Sequence, residues 1–477
     1  MSGRFPRVAS LRTADALRER FSNLGLELPC DDEVLRAPES PLAAPLPLGG
    51  GLRAGNRFVI QPMEGWDGKP DGAPSDLTLR RWQNFGRSGA GWIWGGEAVA
   101  VRDDGRANPR QLLIARETAP ALAALREALL AAARKAGHAE PVVGLQLTHS
   151  GRWSRPEGPK RPRIAYRHPL LDRRVGVSDD APVFTDAELD GLVGDFARAA
   201  RMAWDAGFSF VDLKHCHGYL LHEFLSARSR RGRYGGEGLE ERMALSIAIL
   251  EAVRAEAPGL RVGVRLSVFD HVPHAEDAEG QGTPELHELP YRWGFGIDPD
   301  DPDRIDLNEA VGFARRVQAL GVDWVNVTAS SPYYAPHLQR PAMFPPSDGY
   351  PPPEDPLAGV ARLLGAARDL KRAAPEAVVV SSGWTYLQEF VPHVAQACVR
   401  EGWFDAVGLG RMALSYPELP ADTLAGRTLA RKKLCRTFSD CTTAPRNGLF
   451  SGCYPLDPFY RERPERKLLE AAKRGGS

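Results

Sequence analysis

Three things are scarce in this sequence: cysteine, net charge and long apolar runs. Six cysteines among 477 residues are too few for a disulfide scaffold, so a reducing cytoplasm is the expected location. Lys+Arg and Asp+Glu both number 61. The balance gives no reason to expect nucleic acid or an anionic membrane as a partner. No stretch approaches the roughly eighteen apolar residues that a membrane span requires. The first residues, Met-Ser-Gly-Arg-Phe-Pro-Arg, carry charge but lead into no apolar core, so a signal peptide is not expected. What remains is the composition of a soluble globular protein, 43% hydrophobic and 26% charged. The expected partner is a small-molecule substrate, and nothing in the sequence specifies an oligomeric state. The arginine run Arg228-Ser-Arg-Arg-Gly-Arg233 reads as a solvated loop rather than an anion site.

Apolar, β-rich runs alternate with helical patterns along most of the chain. Candidate strands are Arg57–Pro62, Trp92–Val101, Val142–His149, Phe208–His215, Leu260–Ser267, Val322–Ala329, Ala377–Ser382 and Phe404–Gly410. Their nearly continuous apolar character suits parallel strands buried on both faces. The best-marked helix starts at Thr185, with Glu188 completing a capping box. Its apolar face reads Leu189, Leu192, Phe196, Ala199 and Ala203, and Gly207 is placed to end it. Ala119–Gly137 is a second strong helix. Eight strand–helix units predict an α/β fold, a (β/α)8 TIM barrel with long loop insertions and terminal extensions. The competing architecture is a doubly wound open sheet. The expected division is an N-terminal extension over 1–45, a barrel over 46–424 and a Cys-containing tail over 425–477. Polar, Pro-rich stretches at Ser154–Asp186 and His271–Asp306 follow the third and fifth strands, where barrel enzymes build their sites. Both are expected to act as lids or substrate walls.

The richest chemistry lies in Phe210-Val-Asp-Leu-Lys-His-Cys-His-Gly-Tyr219. Strand alternation sends Lys214 and Cys216 to one face and His215 and His217 to the other. A turn at Gly218 would break that alternation and let Lys214, His217 and Tyr219 converge. A cation, an imidazole and a phenol gathered there can hold an anionic oxygen and deliver a proton. A buried lysine in a barrel can instead form a Schiff base, as in aldolases, but nothing else in the chain supports that chemistry.

Several short motifs occur in a fixed order. They are Asn56-Arg-Phe-Val-Ile-Gln-Pro-Met63, Gly89-Ala-Gly-Trp-Ile-Trp-Gly-Gly-Glu-Ala98, Gln146-Leu-Thr-His-Ser-Gly-Arg152 and His217-Gly-Tyr-Leu220 with Tyr234-Gly-Gly236. Gly263-Val-Arg-Leu-Ser267, Ser382-Gly383 and Leu409-Gly-Arg411 complete the set. From about Leu52 to about Pro417 the chain resembles the Old Yellow Enzyme family of FMN-dependent oxidoreductases. The resemblance implies FMN as cofactor and NADH or NADPH as the transient reductant, with no motif to choose between the two. It implies that Gly383, Gly410 and Arg411 hold the phosphate. It places Gln146 and Arg265 at the flavin's pyrimidine edge, and Pro62, Met63 and Ala98 beside the ring system. In the family, two side chains, His with His or His with Asn, bind the substrate's electron-withdrawing group, and a tyrosine two residues further on supplies a proton. His217 and Tyr219 match the second donor and the tyrosine.

Two positions depart from the family pattern. Lys214 stands where the first His is usual, and an ammonium is a compact point charge suited to a developed oxyanion or a carboxylate. Glu64 follows Pro62-Met63, where a small Thr or Cys is usual near the flavin carbonyl. A Glu64–Lys214 ion pair would reconcile the two. The tail adds Cys435, Cys441 and Cys453. Larger members of the family hold a [4Fe–4S] cluster with four cysteines at nearly this spacing, and here Phe438 takes the second place. An iron–sulfur cluster is therefore not expected, and a degenerate remnant packed on the barrel is. A non-cysteine ligand such as Asp440, or another metal, is the alternative. The resulting expectation is an enzyme of the NAD(P)H:flavin oxidoreductase and ene-reductase type. The alternative is a flavin-dependent dehydrogenase or demethylase of a small amine-like donor.

Overall fold

The computed structural model describes residues 5–322 and 324–475. Eight parallel strands close on themselves: β1 (Phe58–Ile60), β2 (Trp92–Ile93), β3 (Val142–Thr148), β4 (Phe210–His215), β5 (Arg261–Ser267), β6 (Trp324–Thr328), β7 (Val378–Ser381) and β8 (Ala406–Leu409). Each pairs with the next, and β8 returns to β1 through Val407 opposite Phe58 and Leu409 opposite Ile60. The second stave is broken. Ala98–Ala100 continues it beyond β2, and both pieces pair with β3. Every residue of β3 and β4 is buried, as two-sided burial in a parallel barrel requires. Closure excludes the open sheet.

A helix follows each strand: α1 (Asp76–Gly86), α2 (Ala119–Lys135), α3 (Asp186–Asp205), α4 (Leu239–Glu256), α5 (Asn308–Ala319), α6 (Pro356–Ala373), α7 (Val391–Arg400) and α8 (Leu419–Leu424). In α3 the Thr185 hydroxyl accepts from the Glu188 N–H, and Glu188 accepts from the Thr185 N–H. These bonds satisfy two donors that the helix itself cannot. Leu189, Leu192, Phe196, Ala199 and Ala203 form its buried stripe, and Gly207 follows at φ +84°.

The strand starts and strand ends differ in kind. At the starts, Trp92, Trp94, Phe210 and Trp324 fill the barrel with edge-on and tilted contacts 4.7–5.7 Å between centroids. A hairpin of Leu46–Gly49 and Leu52–Ala54 packs Leu46, Leu48 and Ala54 against these rings. Trp324 Nε1 donates to the Leu48 carbonyl at 3.0 Å. The floor is shut by apolar burial, and among the described residues the polar side chains of the cavity lie toward the strand ends. The arginine run after β4 is fastened rather than free: Arg228 pairs with Glu309 of α5, Arg230 with Asp186 of α3 and Arg233 with Asp190 of α3.

Candidate functional site

The strand β4 places its last residues by simple alternation. Lys214 points into the barrel. His215 points out, where its Nε2 lies 2.7 Å from Ser246 Oγ and its ring 5.1 Å from Phe313. Beyond the strand, His217 and Gly218 both adopt left-handed backbone conformations, φ +66° and +75°. Two such residues in succession reverse the chain and swing His217 inward beside Lys214. The conformation is costly for His217. It is held by the His217 N–H donating to Ser267 Oγ at 3.1 Å and by its carbonyl accepting from Ser331 Oγ at 2.8 Å. At Gly218 a Cβ would come within 2.9 Å of the Tyr334 ring, so the turn requires glycine. Lys214, His217 and Tyr219 thus line one cavity at the barrel mouth.

The Lys214 ammonium sits 3.6 Å from the centroid of the Tyr219 ring. Burial pushes its pKa down, and no described carboxylate lies within ion-pair distance of it. The expected Glu64–Lys214 ion pair is therefore not formed. Glu64 is engaged elsewhere: one oxygen accepts from Tyr219 OH at 2.5 Å and the other from Asn108 Nδ2 at 2.9 Å. The phenol holds the carboxylate with its hydroxyl and receives the ammonium on its π face. Burial, and then the Glu64 charge, raise the Tyr219 phenol well above its ordinary value. Burial, and then the Arg265 and Lys214 charges, hold His217 well below the usual imidazole range, so it is neutral at pH 7. Its Nε2 lies 3.2 Å from Thr328 Oγ1 and 3.2 Å from Gln339 Nε2.

Beneath these groups, Asp212 ties two staves together. It accepts from Gln146 Nε2 at 2.5 Å and from the Arg265 N–H at 2.6 Å. Burial nonetheless raises its carboxyl to about 6. Arg265 donates to the Pro62 carbonyl at 3.2 Å, while its buried Nε has no partner. Gln61 and Asn326 exchange amide hydrogen bonds of 2.9 and 2.7 Å across the barrel. Pro62, Met63 and Glu64 line the cavity. Their loop is anchored by Glu97, which accepts from the Gly65 N–H at 2.9 Å and from Arg81 at 2.5 Å; Arg81 also reaches Asp67 at 2.9 Å. Ala98 is the one expected residue away from the cavity wall. It is buried in register with Gln146, because the break in the second stave turns the chain before it.

The far end of the cavity is cationic. Gly383 (φ +101°), Gly410 and Arg411 line it, and their backbone N–H groups have no acceptor among the described residues. A Cβ on Gly410 would meet nothing within 4 Å, so the backbone there is open to a ligand. Arg340 and Arg446 join Arg411. Arg411 Nη1 and Arg340 Nη2 are buried without partners. Burial, and then the Arg446 and Arg411 charges, lower the Arg340 pKa. Crowded guanidiniums with unused donors, beside open backbone N–H groups, are the makings of a phosphate site. Gln146 and the unpartnered Nε of Arg265 supply further donors deeper in the cavity. This donor set fits FMN.

Sequence reasoning missed Arg340, Arg446, Gln339, Tyr333 and Asn108. The signal available for three of them was the long gap between Thr328 and α6, as polar and Pro-rich as the two loops that were singled out. Those two loops do not line the cavity. Arg174 of the first pairs with Glu285 of the second, and Arg152, beyond the end of β3, donates to the Tyr166 carbonyl of the first at 2.8 Å. Both loops are thereby held one layer out from the cavity. The loop after β6 and the tail, through Thr442, Pro445 and Arg446, form the wall instead. Of the tryptophans, Trp66 and Trp384 reach the cavity, Trp92 and Trp94 belong to the floor, and Trp153 stacks on Tyr333 at 4.4 Å. In the tail, Cys441 lines the cavity, and Phe438 stacks on Phe344 at 5.7 Å. Among the described residues, no three His, Cys, Asp or Glu side chains are grouped to hold a metal ion.

The fold and the donor set describe a (β/α)8 barrel whose mouth can hold a phosphate-bearing ligand. The profile of the NADH:flavin oxidoreductase / NADH oxidase family matches residues 41–287, and the chain belongs to that family of flavin-dependent enzymes. A metal reductase of Desulforamulus reducens is 26% identical over 428 residues, which is 88% of this chain and 52% of the relative. A putative 12-oxophytodienoate reductase 2 of Oryza sativa subsp. japonica is 36% identical over 135 residues, 27% of this chain and 35% of the relative. The chain thus spans about half the length of the first and about a third of the second. Among solved structures, a 2-naphthoyl-CoA reductase complex matches with a TM-score of 0.67 at 18% identity, over 88% of this chain and 57% of that one. The Old Yellow Enzyme homologue of Zymomonas mobilis matches with a TM-score of 0.55 at 21% identity, over 82% and 94%. These structures share the fold. No helix among the described residues is long and apolar enough to cross a membrane.

Proposed function

We propose that the protein binds FMN, is reduced by NADH or NADPH, and reduces an activated alkene such as an α,β-unsaturated carbonyl compound. The observation that carries this reading is the convergence of Lys214, His217 and Tyr219 on one wall of the cavity that also holds Gln146 and Arg265. Bound FMN would supply hydride transfer, a chemistry that side chains lack. Gly383, Gly410 and Arg411 would hold its phosphate. Gln146 and Arg265 would meet its polar edge, and Pro62, Met63 and Glu64 would flank the ring, with Ala98 buried in register with Gln146 behind the wall. Lys214 and neutral His217 would bind the substrate oxygen and stabilise the negative charge it gains. Tyr219, kept protonated by its surroundings, would deliver a proton to the α-carbon.

Lysine or arginine occurs five times in the cavity lining (Lys214, Arg265, Arg340, Arg411, Arg446) and a carboxylate once, at Glu64. Arg265, Arg340, Arg411 and Arg446 belong to the proposed flavin site, and the remaining cation, Lys214 beside His217 and Tyr219, disfavours a protonated amine as substrate and places alkene reduction ahead of amine oxidation. The test is an anaerobic titration of the FMN-loaded protein. Bleaching of the flavin by NADH or NADPH, followed by reoxidation with 2-cyclohexenone, is the expected result. Failure to bind FMN, or bleaching by small amines alone, would overturn the reading.

A further inference from the structure

We infer that Glu64 and Tyr219 work as one proton-transfer pair, with Tyr219 facing the substrate and Glu64 exchanging protons with solvent. The inference deepens the alkene-reduction reading and rests on it. Tyr219 is 3% exposed, too enclosed to be recharged by bulk water directly. Its hydroxyl donates to Glu64 at 2.5 Å, and both side chains line the cavity. Glu64 lies on the loop after β1 and is only half-buried, so it keeps the contact with solvent that the phenol lacks. Asn108 Nδ2 fixes its other oxygen at 2.9 Å. Tyr333 OH lies 2.9 Å from Tyr219 OH. The Tyr219 proton is committed to Glu64, so Tyr333 donates to the Tyr219 oxygen. The charged and titratable groups that face the Tyr219 ring and hydroxyl are therefore Glu64, Tyr333 and Lys214, the last over the ring at 3.6 Å.

The step balances with these groups alone. The Tyr219 O–H bond breaks as the substrate's α-carbon gains its C–H bond. Before that step the Glu64 carboxylate takes a proton from a hydronium ion of the solvent and its hydrogen bond to Tyr219 reverses, so the phenol oxygen receives the Glu64 proton as its own leaves for the α-carbon, and Glu64 returns to the carboxylate. The two electrons arrive with the hydride of the proposed reaction. An ionised Glu64 beside a phenolate would place two negative charges at hydrogen-bond distance, which is why proton delivery from Tyr219 requires a protonated Glu64.

The experiment compares Glu64→Gln, Glu64→Asp, Tyr219→Phe and the Glu64→Gln/Tyr219→Phe double variant as FMN-loaded proteins. The first reading is reoxidation of the dithionite-reduced protein by 2-cyclohexenone in a stopped-flow instrument. The Gln and Phe variants should each slow this step by about 10²-fold, the scale of one general-acid contribution. The double variant should be no slower than Tyr219→Phe, because the two groups act in series. Glu64→Asp should recover part of the rate. The second reading is the titration of Tyr219 by NMR in protein carrying carbon-13 at tyrosine Cζ, with the resonance assigned by Tyr219→Phe. Removing the carboxylate in Glu64→Gln should lower the pH at which Tyr219 ionises. Losses that multiply in the double variant, or an unchanged Tyr219 titration in Glu64→Gln, would overturn the pair. If no enone reoxidises the reduced wild type, it is the alkene reading that fails, and the titration alone decides for or against the pair.

Discussion

The two ends of strand β4 were built for opposite purposes. Phe210 at its start lies in an apolar plug with Trp92, Trp94 and Trp324, where the ring contacts bury a large apolar area. Lys214, four residues on, is a buried cation without a described carboxylate partner, under a neutral imidazole and a phenol whose proton is spoken for. The floor gains free energy by removing apolar area from water. The mouth forgoes it, keeping Arg265 Nε, Arg340 Nη2 and Arg411 Nη1 buried and unsatisfied. A ligand that satisfies those donors recovers part of that cost as affinity. The barrel therefore separates stability from chemistry along a single strand, the division expected when active sites sit at strand C-terminal ends.

The largest effect that would sharpen this contrast belongs to the floor. Phe210→Ala should cost about 3–5 kcal/mol, as for a large aromatic removed from a packed core. Urea unfolding monitored by circular dichroism measures it, and a loss below 1 kcal/mol would deny the plug its role. The next effect belongs to the mouth and reads ligand binding, not folding. Arg411→Ala should leave the urea midpoint of the FMN-free protein nearly unchanged yet weaken FMN binding by about 10²-fold, the scale of two charge-assisted hydrogen bonds. Fluorescence quenching of added FMN checks it. The smallest effect concerns Lys214. Its folded pKa lies below the ordinary 10.5, so between those two values the unfolded chain holds more protons than the folded one. Stability must then rise with pH across that window. Lys214→Met should remove this rise while leaving stability at pH 7 equal or greater, by up to about 1 kcal/mol. Matched urea series from pH 7 to pH 10.5 check it, and an unchanged slope would show that Lys214 is solvated.

The staves were legible because two-sided burial writes itself as apolar runs such as Val142-Val-Gly-Leu145. The α3 start was legible because Thr185 and Glu188 bond within one turn. The convergence of Lys214, His217 and Tyr219 was legible in part, since Gly218 announced a turn. The left-handed conformation of His217 was not, because it depends on Ser267 and Ser331 from other staves. The Glu64 partner was misjudged for a related reason. Charge alone favours Lys214, whereas the Tyr219 side chain delivers its hydroxyl to Glu64 at 2.5 Å.

By itself the sequence determined the barrel, the polar strand ends and the kinds of group gathered there, because periodicity and turn residues are local properties. The tertiary structure alone decided that the loop after β6 and the tail wall the cavity, and that Arg340 and Arg446 stand beside Arg411. It alone paired Glu64 with Tyr219. These contacts join residues far apart along the chain, and their geometry follows from barrel closure, which no local pattern encodes.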